Sequence, residues 1–195
     1  MSIQLSNLKE IYKEEKSEIH RSIDAVLRSG NLILSKENLL VEQKIAKLTK
    51  QKFCLTLNSG TDALMMSLWA SGIKKDDEVI TTPLSFIATV NSIIHIGAKP
   101  VFVDVGDDLN INPDLIEKSI TKKTKAILPV HWAGRVCNMD LICKIAKKYN
   151  LIVIEDAAQA MGAYYKNKHD GNFGKISAFS LHPYKNLSGL GDGGF

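Results

Sequence analysis

Short apolar runs alternate with helix-like segments along most of this chain of 195 residues. Alternation of this kind is typical of a parallel sheet with helices on both faces, because parallel strands need long crossover connections. The fold class that it predicts is α/β, a three-layer α/β/α arrangement around a mostly parallel sheet. The predicted strands are 53–57, 78–81, 100–104, 126–130, 151–154 and 176–180, and the predicted helices between them are 61–71, 86–96, 113–119 and 140–149.

The N-terminal region is predicted to be helical before the alternation begins. Residues 8–27 carry apolar side chains at helical spacing, and Ser29, Gly30 and Asn31 end that helix. A second helix is predicted from about Lys36, with an apolar face made by Leu39, Leu40, Ile45 and Leu48. We therefore divide the chain into an N-terminal helical segment, 1–35, and a larger domain, 36–195.

Composition favours a cytoplasmic protein with small-molecule ligands. The apolar fraction is 45%, and the net charge of +4 comes from scattered lysines, which argues against nucleic-acid binding. No apolar run approaches the length of a membrane span, and no secretory leader is recognisable. The three cysteines form no CxxC pair, which is typical of reduced thiols, and the histidines have no metal-ligand spacing with them, so no metal is expected.

Lys185 has neighbours that suggest a chemical role for it. Asp156 and Gln159 follow the apolar run 151–154, and Ser180 precedes the lysine by five residues. A carboxylate beyond a buried strand can keep a pyridine nitrogen protonated, a hydroxyl can hold a phosphate, and a lysine can form a Schiff base with an aldehyde. Together these roles predict a site for pyridoxal 5'-phosphate. Alternatively, Asp156 only caps a helix that begins after it.

Two other segments are candidates for the same site. Gly60 and Thr61 open a predicted helix directly after a strand, and helix N-termini bind anions such as phosphate. The alternative is a plain N-cap made by Ser59 or Thr61. Phe86 follows the next strand and could stack on a flat cofactor ring, although an aromatic residue there could equally belong to the core.

One further motif is rejected. The run Gly189–Gly194 contains glycines at spacings close to a dinucleotide fingerprint, but no helix pattern follows it before the sequence stops at Phe195. A nicotinamide-binding module is therefore a distant alternative.

In combination, these motifs resemble the DegT/DnrJ/EryC1/StrS family of sugar aminotransferases, which have the type I fold of aspartate aminotransferase. The resemblance runs from about Ser29 to the end of the sequence. The segments that carry it, in order, are 58–64 (NSGTDAL), 83–89 (PLSFIAT), 129–134 (PVHWAG), 155–159 (EDAAQ) and 180–186 (SLHPYKN).

The resemblance implies a role for each candidate residue. Lys185 would form the Schiff base with pyridoxal 5'-phosphate and move a proton between substrate and cofactor. Asp156 would pair with the pyridine nitrogen, Gln159 would contact the ring hydroxyl, and Phe86 would stack on the ring. The phosphate would be held by Gly60, Thr61 and Ser180.

The resemblance also implies substrates and partners. The family moves an amino group, usually from L-glutamate, to a keto-sugar attached to a nucleotide, and its active site is shared across a homodimer. Family members are about twice this length, so 36–195 would be a partial large domain without the small C-terminal domain. Two alternatives are a sugar dehydratase, although dehydratase relatives carry histidine at the position of Lys185, and a truncated non-catalytic fragment.

Overall fold

The computed structural model describes residues 7–195. Within that range the α-helices are α1 (Leu8–Ser29), α2 (Lys36–Thr49), α3 (Gly60–Ala70), α4 (Ile87–His95), α5 (Pro113–Ile116) and α6 (Met139–Tyr149). The strands are β1 (Glu78–Thr81), β2 (Lys99–Phe102), β3 (Thr124–Ile127), β4 (Ile152–Asp156), β5 (Tyr164–Tyr165), β6 (Lys168–His169) and β7 (Ile176–Ala178). Short 3-10 turns cover Glu117–Ser119 and Trp132–Gly134.

Five strands form one parallel sheet in the order β2-β1-β3-β4-β7. In β1, Ile80 lies beside Val101 on one side and Ile127 on the other. Because every pair is parallel, the carboxyl ends of all five strands lie at one edge of the sheet. The predicted α/β fold with a mostly parallel sheet is therefore confirmed.

Neighbouring residues of β1 point into different cores. Val79 packs in a cluster with side chains of α3 and α4, whereas Ile80 packs with side chains of α5 and α6. A parallel strand buried on both faces needs such a continuous apolar run, because each face meets its own helices. The result is the three-layer arrangement that the alternating sequence predicts.

Helix α6 illustrates why the local sequence forms these elements. The side chain of Asn138 accepts a hydrogen bond from the backbone N–H of Leu141 at 3.3 Å, and Asn150 ends the helix in the left-handed conformation. An acidic residue lies in the first turn and two lysines in the last turn, which suits the helix dipole. Its buried side chains recur every three or four residues, at Met139, Ile142, Ile145 and Ala146.

Two local predictions are wrong, and one element of the fold was not predicted. Residues 53–57 form no strand; only Leu57 makes an isolated antiparallel bridge, to Gly194. The backbone N–H of Thr56 instead donates to the carboxylate of Glu42 in α2 at 2.8 Å. In α2, Leu39, Leu40 and Leu48 are exposed, and the buried residues are Ile45 and Thr49. The β5–β6 hairpin was not predicted, because two-residue strands have no recognisable period.

The glycine-rich end folds back onto the sheet. Gly194 exchanges two backbone hydrogen bonds with Leu57, at 2.7 and 2.9 Å, and also forms an antiparallel bridge with Ser180. Phe195 stacks on Phe179 with ring centroids 4.9 Å apart. These contacts connect the segment before α3 to the segment after β7.

Helix α1 stands apart from both cores, since none of its residues is buried. The division at residue 35 remains a prediction. No helix within residues 7–195 is both long enough and apolar enough to cross a membrane.

Replacing Ile142 by alanine tests the core below the sheet. Ile142 is fully buried between α6 and the sheet, so Ile142→Ala should lower the free energy of unfolding by about 2–5 kcal/mol. Urea denaturation followed by circular dichroism measures this change. The matched control is Leu141→Ala on the exposed side of the same helix, which should cost well under about 1 kcal/mol. Equal losses for the two variants would contradict the assigned core.

Candidate functional site

A pocket of about 410 Å³ lies at the carboxyl edge of the sheet. That volume is within the range of small-molecule sites. Its walls come from the ends of β4 and β7, from the start of α3 and from the segment that leads into α4. All seven candidate residues from the sequence line it: Gly60, Thr61, Phe86, Asp156, Gln159, Ser180 and Lys185.

Asp156 forms the buried floor of the pocket. It is the last residue of β4 and is 4% exposed. The hydroxyl of Thr89 donates to Oδ2 at 2.7 Å, and the backbone N–H of Ala158 donates to Oδ1 at 3.2 Å. Residues 158–162 form turns, so the carboxylate closes a turn and caps no helix. A carboxylate has about four acceptor positions, so both oxygens can still accept from a ligand.

The electrostatic state of Asp156 is unusual for an aspartate. Burial raises the pKa of its carboxyl group, because the charged form loses its hydration. The hydrogen bonds from Thr89 and Ala158 act in the opposite direction. The smaller electrostatic influences of His131 and Lys185 also lower the pKa. Within residues 7–195, no cationic side chain lies at ion-pair distance from Asp156. A cationic group in the pocket would therefore favour its ionised form.

The start of α3 faces the pocket with free donors. The side chain of Ser59 caps the helix by accepting from the N–H of Asp62 at 3.1 Å, and Ala63 N–H bonds to the carbonyl of Ser59. The N-cap interpretation is therefore right, yet it leaves the N–H groups of Gly60 and Thr61 outside the helical bonds. A Cβ on Gly60 would lie 2.8 Å from the Cβ of Ser180, so only glycine allows this approach.

Lys185 and Phe86 occupy the pocket wall in different ways. Lys185 lies in a turn in which its backbone N–H donates to the carbonyl of His182 at 2.8 Å, and its side chain is half-buried. Phe86 is the N-cap residue of α4 and is 64% exposed. That exposure excludes the core alternative for Phe86 and leaves its ring free to contact a ligand.

Gln159 is held by a neighbouring turn. Its Oε1 accepts a hydrogen bond from the backbone N–H of Ala133 at 3.1 Å. A backbone N–H can only donate, so the amide must present its oxygen to Ala133 and its NH₂ group elsewhere.

Sequence reasoning missed several residues that line the pocket. Thr89, which holds Asp156, belongs to the quoted segment 83–89 and lies one turn after Ser85, whose hydroxyl contacts its own at 2.6 Å. The i, i+4 spacing of Ser85 and Thr89 across the start of α4 was the signal that could have found the pair. Tyr184 and His182 also line the pocket, and their rings tilt towards each other with centroids 5.7 Å apart.

A buried histidine–carboxylate hydrogen bond lies directly beside Asp156 along β4. The carboxylate of Glu155 is fully buried and accepts from His131 Nε2 at 2.9 Å and from the backbone N–H groups of Gly171, Phe173 and Gly174 at 2.6–3.1 Å. Burial opposes ionisation, but the hydrogen bonds from His131, Gly174 and Phe173 outweigh it and keep the pKa of Glu155 below its usual value. The network anchors two loops to the strand that carries Asp156.

Asp170 lies in the same buried region without comparable partners. Neither of its carboxylate oxygens has a hydrogen bond within residues 7–195. Nδ1 of His169 lies 2.6 Å from both Oδ1 and the backbone carbonyl oxygen of Asp170, and only the carbonyl has hydrogen-bond geometry. Burial and the nearby charge of Glu155 raise the pKa of Asp170 to about 7, against the opposing influence of His131. The acid is therefore largely protonated below neutral pH.

Comparison with known proteins identifies the family. Residues 13–195 match the DegT/DnrJ/EryC1/StrS aminotransferase family, and the chain belongs to it. The UDP-2-acetamido-2-deoxy-3-oxo-D-glucuronate aminotransferase of Pseudomonas aeruginosa is 40% identical over 193 residues, which are 98% of this chain and 54% of that protein. DesV of S. venezuelae superposes with a TM-score of 0.94 at 39% identity, over 96% of this chain and 51% of DesV.

The cofactor prediction agrees with this membership. NtdA from Bacillus subtilis, solved with bound cofactor PMP, superposes with a TM-score of 0.89 at 36% identity, over 93% of this chain and 41% of NtdA. PMP is the aminated form of pyridoxal phosphate, and pyridoxal phosphate is confirmed as the cofactor of the family. The chain spans about half the length of the curated relatives that it matches.

Asp170 should make stability depend on pH. Its folded pKa of about 7 lies above the unfolded value of about 3.9. Between these two pH values the folded state keeps a proton on Asp170 that the unfolded state has released. The stabilisation of the folded state by this proton is fully present below about pH 3.9 and is lost as pH rises through about 7. Asp170→Asn should remove this loss, so the stability of the variant relative to the parent should increase with pH. Urea midpoints at several pH values between about 5 and 8 measure it.

The matched control is Asp107→Asn, at an exposed aspartate in a turn. Its stability difference from the parent should stay constant over the same pH range. A constant difference for Asp170→Asn as well would show that Asp170 is ionised in the folded protein throughout.

Proposed function

We propose that this chain is the cofactor-binding part of a pyridoxal-phosphate-dependent aminotransferase that moves an amino group from an amino acid, L-glutamate, to a keto-sugar attached to a nucleotide. The observation that carries the proposal is Asp156, a buried carboxylate in the same pocket as Lys185. Among residues 7–195, no cationic side chain is paired with it. A protonated pyridine nitrogen is the cation that this position fits.

The residues present fit the cofactor at each of its polar groups. Asp156 Oδ1 and Oδ2 retain acceptor capacity for the ring nitrogen, and Gln159 has an NH₂ group to offer to the phenolic oxygen. Phe86, exposed at the pocket wall, provides an apolar face on which the ring can stack.

The start of α3 and Ser180 fit the phosphate. The N–H groups of Gly60 and Thr61 are free of helical bonds, and the hydroxyl of Ser180 lines the same part of the pocket. The positive end of the helix dipole adds to the attraction for a dianion. Gly60 allows α3 to lie against Ser180, so that donors from both elements surround one anion.

Lys185 supplies the movable amine. When bound, pyridoxal phosphate provides an aldehyde and a protonated ring that withdraws electrons from the reacting carbon. With the cofactor bound, Nζ of Lys185 would hold its aldehyde and, once freed, would be the base that moves a proton at the substrate carbon. Asp156 would keep the ring nitrogen protonated.

The choice of reaction and substrates rests on the family and on the lysine. A relative at 40% identity acts, by its name, on an oxidised UDP-sugar, and another at 42% identity takes part in spore coat polysaccharide biosynthesis. Lys185 favours transamination over dehydration, because dehydratase relatives carry histidine at its position. A homodimer with a shared site fits the exposed apolar side chains of Ile33, Leu34 and Phe53, and a cytoplasmic location remains our prediction.

Replacing Lys185 tests the central assignment. The bond between a lysine amine and the cofactor aldehyde is coloured and is reduced by borohydride. The protein with pyridoxal phosphate should therefore be yellow, and borohydride followed by mass spectrometry should fix the cofactor on the peptide that contains Lys185. Lys185→Ala should lose both signals, whereas Lys175→Ala, at an exposed lysine outside the pocket, should keep them.

A yellow, borohydride-sensitive Lys185→Ala protein would overturn the assignment. With the colour established, addition of L-glutamate should bleach it as the amino group is transferred, and a keto-sugar nucleotide should restore it. If glutamate bleaches the yellow colour but no keto-sugar nucleotide restores it, the proposed acceptor is wrong.

Gly60→Ala tests the phosphate position. The added Cβ would lie 2.8 Å from the Cβ of Ser180 and push α3 away, so the dissociation constant for pyridoxal phosphate should rise about tenfold or more. The affinity for pyridoxal, which lacks the phosphate, should change little, and fluorescence titration measures both. Gly106→Ala, where a Cβ would meet only ordinary contacts, is the control. An equal loss for the two ligands would place the phosphate elsewhere.

A further inference from the structure

The turn Trp132–Arg135 beside the pocket has a backbone that needs support. Ala133 has φ 51° and Gly134 has φ 84°, so two successive residues adopt the left-handed conformation. That conformation is unfavourable for a residue with a Cβ, and a non-glycine residue keeps it only where surrounding contacts enforce it. The backbone N–H of Arg135 donates to the carbonyl of Trp132 at 2.9 Å and closes the turn. This bond lies within the turn and does not attach it to the rest of the fold.

Asn110 supplies the missing contacts. Its Oδ1 accepts from the backbone N–H of Trp132 at 3.0 Å, and its Nδ2 donates to the carbonyl of Arg135 at 3.1 Å. One planar amide therefore bridges the first and last residues of the turn. The assignment of oxygen and nitrogen is forced, because a backbone N–H only donates and a carbonyl only accepts.

Asn110 is itself held firmly. It is 1% exposed, its backbone N–H donates to the carboxylate of Asp108 at 3.1 Å, and its carbonyl accepts from Gly106 at 2.9 Å. A buried amide with satisfied partners has no alternative orientation without losing hydrogen bonds. The turn is therefore tied to a rigid point outside the pocket.

The other side of the turn meets Gln159. Ala133 N–H donates to Gln159 Oε1, and a Cβ on Gly134 would come within 3.4 Å of the carbonyl oxygen of Gln159. The turn therefore sets which end of the Gln159 amide is available. With the oxygen engaged, the NH₂ group is the end left for a ligand, and an anionic phenolic oxygen needs a donor.

We propose that Asn110 is a positioning residue for the cofactor: through the turn Trp132–Arg135 it fixes the Gln159 amide so that its NH₂ group faces the phenolic oxygen of pyridoxal phosphate. The proposal rests on the cofactor site proposed above and adds to it a residue outside the pocket. Asn110 acts through Ala133 and has no contact with the ligand.

The spectrum of the bound cofactor reports this contact. A hydrogen bond from Gln159 favours the deprotonated phenolic oxygen, so its loss should raise the pH midpoint of the cofactor's absorbance change. Gln159→Ala should raise that midpoint by about one pH unit, which is a tenfold change in the protonation equilibrium. Asn110→Ala should move it in the same direction, because the freed turn no longer orients the amide.

A double-mutant cycle separates this role from a purely structural one. If Asn110 acts through Gln159, the variant with both replacements should have the midpoint of Gln159→Ala alone. The matched control is Asn112→Ala, which removes an amide that caps α5 by accepting from Asp114 at 3.0 Å and does not touch the turn. Its midpoint should equal that of the parent protein.

Several results would overturn the inference. If Asn110→Ala unfolds at a lower urea concentration but keeps the pH midpoint of the parent protein, the role of Asn110 is only structural. If the shifts in pH midpoint add in the double variant, Asn110 does not act through Gln159. If Asn110→Ala does not fold, Asn110→Asp serves instead, because it keeps the acceptor for Trp132 and loses the NH₂ group that donates to Arg135 and Asp108. Failure of the parent protein to take up pyridoxal phosphate would refute the proposed function, and this inference with it.

Discussion

The burial of Asp156 is the constraint on which the rest of the site depends. A carboxylate at the end of a central strand loses most of its hydration, and this raises its pKa unless donors and positive charge surround it. Thr89 and Ala158 provide the donors, and Lys185 provides a charge at longer range. These groups replace only part of the lost hydration of Asp156, and this makes the pocket a good site for a ring that carries a proton.

The neighbouring Glu155 is also a buried carboxylate, but its hydrogen-bond partners all come from the protein. Alternate residues of a strand point to opposite faces, so Glu155 and Asp156 enter different environments although they are adjacent. Glu155 finds a histidine and three backbone donors, and these contacts keep its pKa below the usual value. It organises the loops behind the pocket, whereas Asp156 retains acceptor capacity for a ligand.

Much of the site could be predicted because parallel sheets bring the carboxyl ends of distant strands together. Residues as far apart as Gly60 and Lys185 therefore line one pocket, and each could be found from its position after an apolar run. Thr89 and Asn110 could not be found in this way. Their importance lies in hydrogen bonds to partners 67 and 22–25 residues away, and no local pattern encodes such distances.

The sequence alone determined the α/β alternation, the helix caps and the set of polar residues that follow the strands, since these depend on local periodicity and on side-chain chemistry. Only the tertiary structure decided which apolar residues are buried, as the exposed leucines of α2 and the exposed ring of Phe86 demonstrate. It also decided that residues 53–57 contribute one bridge and no strand, because pairing with Gly194 depends on where the glycine-rich segment folds back. Burial and long-range pairing arise only when the layers of the fold come together, so the local sequence of one segment does not determine them.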